Sequence, residues 1–254
     1  MVTQESLRAA LDRLGIAEGD LVVVKADLAY LGPLDGVQSK EAYRHALYGV
    51  LRRQIGERGT LVVPTSSERL CESGEDFILE ETPSEMGLLS EFLRRRPDAR
   101  RSLHPFASYA AEGPLAEAIV ADVSKHAFGP DTPKARLIER GAKVLNIGIP
   151  PERTNSVVHH AEHLMGVPYR YHKEFPNRVF VGGRCVGADY LMYVRRKECQ
   201  IQLDHNQRLV ELFREQGHTI QRVPLTATTV MTCHDLRAMF ETCLTLLKHD
   251  VYGL

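Results

Sequence analysis

The chain has 254 residues, 43% hydrophobic and 26% charged, enough for a full core in one domain and too apolar for a disordered or collagen-like protein. Its 32 Lys plus Arg against 33 Asp plus Glu leave a formal net charge of −1, so no whole-molecule field holds a polyanion and nucleic acid is not expected as a partner. Five dispersed Cys without a CxxC pair, and no apolar run of spanning length, exclude a disulfide framework, a thiolate zinc site and a membrane partner, and point to a reducing cytoplasm.

Residues 5–14 carry Leu7, Leu11 and Leu14 at helical spacing, which makes an amphipathic helix rather than a signal peptide. Leu21-Val22-Val23-Val24 is apolar at every position, as in a strand covered on both faces. A helix over 39–55 ends at Gly56, and Thr60–Pro64 repeats the short buried strand. Ser84 reads as the N-cap of a helix striped by Met86, Leu89 and Leu93 and running into the arginines 94–101. Further helices are expected over 112–123 and 133–140, and a third buried strand over 143–149. A helix opens near 155, alternation around Gly182-Gly183 reads as a hairpin over 178–195, and Leu236 to Leu247 form the clearest amphipathic helix. The economical reading is a single α/β domain over 1–254: a central sheet flanked by helices, with a small β appendage within 170–200.

Chemistry concentrates in two segments. Eleven His are many for this length, and three fall in Asn155-Ser156-Val157-Val158-His159-His160-Ala161-Glu162-His163, just past the third strand. On a helix His159, Glu162 and His163 share one face, so His159 with a carboxylate partner suits a general base. The same face also suits plain solvent-exposed histidines. The i, i+4 pair His159 and His163 has metal-ligand spacing, but HExxH would need Glu where His160 stands, and no metal is expected. The second segment places five Arg within eight positions, 94–101, before Ser102, His104 and Ser108. It suits either phosphate contacts or a solvated helix end. No GxxxxGK[ST], GxGxxG or GxSxG occurs.

In this order, LxxLGI-xx-GD-LVVVK (11–25), GTLVVPT (59–65), PSEMGLLSEFLRRRPDARRSLHPFASYAAEG (83–113), FGPDTPKARLIERGAKVLNIGI (128–149) and NSVVHHAE (155–162) resemble the aminoglycoside 3-N-acetyltransferase family over nearly the whole chain. The resemblance implies a central mixed sheet and acetyl-CoA-dependent N-acylation of an aminoglycoside or related amino sugar, by direct transfer. It also implies His159 as catalytic base with Glu162; Lys25, Thr65, Ser102, His104 and Ser108 around the CoA donor; and Asn155 and Glu162 toward the amine. Where the family reads valine-histidine-serine-serine-leucine, this chain has Val24-Lys25-Ala26-Asp27-Leu28. Two alternatives follow: the same fold with another acyl donor or amine, as in natural-product or surface-glycan biosynthesis, or a non-catalytic ligand-binding protein. The oligomeric state stays open.

Overall fold

The computed structural model describes residues 1–153, 156–199 and 206–254. In chain order it begins α1 (Gln4–Arg13), β1 (Leu21–Ala26), α2 (Leu28–Leu31), α3 (Lys40–Ile55), β2 (Thr60–Pro64), α4 (Leu70–Ser73), β3 (Phe77–Ile78) and α5 (Leu88–Arg94). There follow β4 (Arg100–Arg101), β5 (Tyr109–Glu112), α6 (Ala116–Val120), α7 (Pro133–Glu139), β6 (Lys143–Ile147) and α8 (Val157–Met165). The remainder is β7 (Arg170–Phe175), β8 (Val179–Val181), β9 (Arg184–Gly187), β10 (Tyr190–Arg195), α9 (Gln207–Glu215), β11 (Gln221–Pro224), β12 (Val230–Asp235) and α10 (Leu236–His249).

β1 pairs in parallel with β2 on one side and β6 on the other, with Val23 opposite both Val62 and Val144. Antiparallel strands extend each side, giving the order β11-β12-β6-β1-β2-β5-β4. This is the mixed sheet flanked by helices that the sequence predicts. Because β2 and β6 lie on opposite sides of β1, the C-terminal ends of these strands frame a switch point, where open α/β sheets gather ligands.

The first apolar run explains its own position. Leu21 and Val23 pack into the cluster formed with α7, α8, α9 and α10, while Val22 and Val24 pack with α1, α3 and α5. With both faces covered, no residue of the run has a solvent side. The same alternation carries Lys25 to the α8 side of the sheet. Asn146, Thr232 and His234 lie buried there too, with Asn146 Nδ2 donating to Thr232 Oγ1 at 3.2 Å. Toward its C-terminal edge, this face turns from apolar to polar.

Several boundaries differ from the sequence reading. Ser84 is not a helix N-cap: its hydroxyl accepts from the Met86 amide at 3.1 Å and closes a turn, Gly87 at φ 99° reverses the chain, and α5 starts at Leu88. The helix also stops at Arg94, because Arg100 and Arg101 pair with Ala111 and Ala110 as β4. The helix expected over 112–123 shrinks to Ala116–Val120, since Tyr109–Glu112 is committed to β2. The expected hairpin over 178–195 divides. β8 and β9 turn at Gly182-Gly183 and β3 adds to them in parallel, whereas Asp189, at φ 62°, redirects the chain so that β10 pairs with β7. The appendage is therefore two small sheets.

Candidate active site

A pocket of about 740 Å³ opens at the C-terminal ends of β1 and β2, lined there by Lys25, Ala26 and Pro64. α8 and the residue before it supply Ser156, Val158, His159 and Glu162, α7 supplies Lys134, and the β7–β10 ribbon supplies Arg170, Met192, Tyr193, Val194 and Arg195. Phe106, Ala107, Tyr109 and Phe128 complete an apolar wall.

The i, i+3 spacing on α8 brings His159 and Glu162 together as predicted. His159 Nδ1 lies 2.8 Å from Glu162 Oε2. The Glu162 side chain is 3% exposed and the His159 ring 39%. Glu162 Oε1 accepts from the Tyr169 hydroxyl at 3.0 Å, and Arg170 Nε lies 2.8 Å from Oε2. Burial pushes the Glu162 carboxyl up, but hydrogen bonding and charge from His159 and the Arg170 guanidinium outweigh it and hold the group below the usual carboxylate range. Arg170 Nη2 also comes within 3.1 Å of His159 Nδ1. One nitrogen cannot donate to Glu162 and accept from Arg170, and the ionised carboxylate is the stronger acceptor, so Nδ1 carries the proton. In the neutral ring this tautomer leaves the lone pair on Nε2.

The other face of α8 is structural. His160 is buried, and its Nδ1 accepts from the Gly129 amide at 3.2 Å. Burial, with the nearby charge of Lys134, lowers its pKa to about 4, so it is neutral. Gly129 has φ 101°, and a side chain there would collide with the His163 ring. His163, the second residue of the metal-spaced pair, packs its ring against His172 at 5.0 Å and His126 at 6.0 Å between centroids. Among the described residues no group of three or more His, Cys, Asp or Glu is placed to hold a metal ion.

The expected donor-binding residues separate. Lys25 lines the pocket; Thr65, Ser102, His104 and Ser108 are buried behind it. The Thr65 and Ser108 hydroxyls lie 2.9 Å apart, Ser102 Oγ accepts from the Tyr109 amide at 3.0 Å, and His104 Nδ1 accepts from the Phe106 and Ala107 amides at 3.2 and 3.1 Å. Burial lowers His104 to about 4. These four groups fix the loop that presents Phe106 and Ala107 to the pocket. The arginine run is taken up within the chain, with Arg95 and Arg100 at the surface: Arg94 and Arg95 pair with Glu91, Arg96 with Glu112 and Arg100 with Glu117, while Arg101 donates to the Thr65 and Thr82 carbonyls at 2.6 Å. Asp27 N-caps α2, accepting from the Ala29 amide at 3.0 Å. Asn155 lies outside the described residues. Glu162, expected also to meet the amine, has both oxygens committed.

Sequence reasoning passed over Tyr169 and Arg170, which hold Glu162, and Lys134, whose Nζ donates to Ser156 Oγ at 2.9 Å, beside Lys25 Nζ at 3.2 Å from the same oxygen. A usable signal existed for Lys134. Thr132-Pro133 marks a helix start, and a lysine in the first helical turn is set against the dipole.

The family model for aminoglycoside 3-N-acetyltransferase matches residues 23–248. Aminoglycoside N(3)-acetyltransferase VII of Streptomyces paromomycinus is 34% identical over 204 residues, covering 73% of this chain and 68% of that protein. Aminoglycoside N(3)-acetyltransferase III of Salmonella sp is 33% identical over 202 residues, covering 70% and 68%. Among solved structures, AAC-IIIb in binary complex with CoASH is similar with a TM-score of 0.81 and 25% identity, over 99% of this chain and 97% of that one. The apoenzyme of AAC(3)-IVa gives 0.78 and 26%, over 100% and 91%. The chain belongs to the aminoglycoside 3-N-acetyltransferase family and is an N-acyltransferase.

Proposed function

We propose that the protein transfers the acetyl group of acetyl-CoA to an amine of an amino sugar, with His159 as general base and no acyl-enzyme. The observation that carries this is the His159–Glu162 pair, with Nδ1 anchored at 2.8 Å and the ring facing the pocket. The lining suits the donor, since Arg153 and Arg195 offer cations to a phosphate-bearing ligand beside an apolar wall. Acetyl-CoA, when bound, supplies an activated thioester with a thiolate leaving group.

The chain's own residues manage the proton. His159 Nε2 takes it from the attacking nitrogen, so that the lone pair is free to form the amide bond. Glu162, accepting from Nδ1–H, keeps the ring in this tautomer and stabilises the imidazolium; it is a positioning residue, as are Arg170 and Tyr169, which hold Glu162. The imidazolium then returns the proton to the departing thiolate. Direct transfer is supported by the cysteines, none of which lines the pocket, and burial pushes Cys71 up to about 11 and Cys233 to about 12. The cytoplasm, where acyl-CoA thioesters are made, is the fitting compartment. The test is thiol release from acetyl-CoA over a panel of aminoglycosides and amino sugars. We expect turnover that His159→Ala removes; no release with any amine would refute the reading.

A further inference from the structure

A second cluster occupies the pocket floor. Lys25 Nζ and Lys134 Nζ both donate to the Ser156 hydroxyl, at 3.2 and 2.9 Å, and all three residues line the pocket. Two ammonium groups on one oxygen repel each other strongly where water is scarce. From β5, the Tyr109 ring faces Lys134 at 5.3 Å. From α8 and β12, His160 and His234 approach, and burial holds both neutral, at about 4 and about 3. Among the described residues no carboxylate forms an ion pair with Lys134 or lines the small space beneath it. Burial lowers both lysines, Lys134 to about 8, and the charge of Lys134 lowers Lys25 further. An anion placed here would relieve the repulsion and the burial penalty together.

Position narrows what carries that anion. Ser156 precedes His159 by three residues, about 4.5 Å of helix rise. The cluster therefore sits at the reaction centre, a whole pantetheine arm away from where the phosphates of CoA lie when its thioester meets His159. Glu162, which lines the same pocket, is already paired with Arg170 and makes no ion pair with Lys134. A reactant bearing an anion is drawn toward Lys134 at such a place.

We propose that Lys25, Lys134 and Ser156 form an anion subsite beside His159 that takes a carboxylate or phosphate carried by one reactant, either the acyl chain of the donor or the body of the amine. Assigning the anion to a reactant rests on the acyl-transfer reading; the binding of an anion does not.

Binding is tested first without chemistry. Malonate and inorganic phosphate should raise the Tm of the wild type, leave Lys134→Gln unmoved and act again on Lys134→Arg, which restores a cation. Two pairs, each of a charged and an uncharged reactant, then separate the sources: succinyl-CoA against acetyl-CoA as donor, and glucosamine 6-phosphate against glucosamine as acceptor. In one pair the charged member should bind about tenfold or more tightly to the wild type, and that advantage should fall to about twofold in Lys134→Gln. Charged and neutral members binding equally to the wild type in both pairs would overturn the subsite, and this needs no variant to fold. An anion effect undiminished in a folded Lys134→Gln would overturn it as well. Anion binding without acyl transfer to any amine would uphold the subsite and refute the proposed reaction, while transfer with no anion effect would do the reverse.

Discussion

Arg94 and Lys134 are both buried cations beside one sheet, and they are held in opposite ways. Arg94 donates to Glu91 through two nitrogens, at 2.5 and 2.6 Å, and to the Glu80 and Glu81 carbonyls at 3.0 and 3.3 Å. Lys134 has one hydroxyl among the described residues, shared with Lys25. The first charge is fully answered from within the chain and fastens residues 80–81 to α5. The second sits in a pocket floor and waits on an external partner. A run of arginines in the sequence thus marks architecture, while two lysines far apart in sequence, one on β1 and one on α7, mark the ligand side.

The largest expected effect lies on the pocket side. His159→Ala should lower kcat by about 10²–10⁴-fold, the usual range for losing a general base, with the unfolding midpoint nearly unchanged because the ring is partly exposed. Steady-state kinetics beside urea unfolding check both halves, and a collapse in stability would instead make His159 structural. Next in size, Arg94→Ala should cost about 1–3 kcal/mol, because it leaves the Glu80 and Glu81 carbonyls without their donor while Glu91 keeps Arg95. A urea series in which this variant matches the wild type would break the comparison.

Lys134→Met should move stability the other way, raising it by about 1–3 kcal/mol at pH 7 while removing anion binding. The sign follows from the lowered pKa. Since burial brings Lys134 from 10.5 to about 8, the folded state is penalised for holding the proton below pH 8, and wild-type stability rises as the pH climbs from about 8 to 10.5. The advantage of the variant should therefore shrink across that window in urea titrations. The smallest effect is on the acid side. Glu162 is depressed in the folded state, so its contribution is complete above 4.5 and disappears as the pH falls through the lower folded value. Glu162→Gln should flatten that acid limb of the Tm profile.

Much of the architecture was legible because it depends on local pattern. The β1 and β2 runs declare burial on both sides, and the His159–Glu162 contact follows from three residues of helix. What the sequence hid depends on pairing across distance. Nothing near Arg170 shows that it will meet Glu162, because the contact exists only once β7 docks against α8. The hydroxyls of Thr65, Ser102 and Ser108 look like ligand donors as letters, and only their burial reveals that backbone and neighbouring hydroxyls already occupy them. Ser84 looks like a cap because the effect of Gly87 at φ 99° on the chain direction cannot be read from residue types alone.

Arg170 gives the site a weak hinge of its own. It comes from a ribbon of only two strands, β7 and β10, with four successive exposed positions on β7. Such a ribbon has little independent stability and opens at lower free energy than the seven-stranded sheet. Each opening withdraws the guanidinium from Glu162 and leaves a nearly dry carboxylate with only the imidazole and the Tyr169 hydroxyl to answer it. Catalytic competence is then governed by this local unit rather than by the whole molecule, so on heating activity should fade several degrees before the far-UV signal of the main sheet is lost.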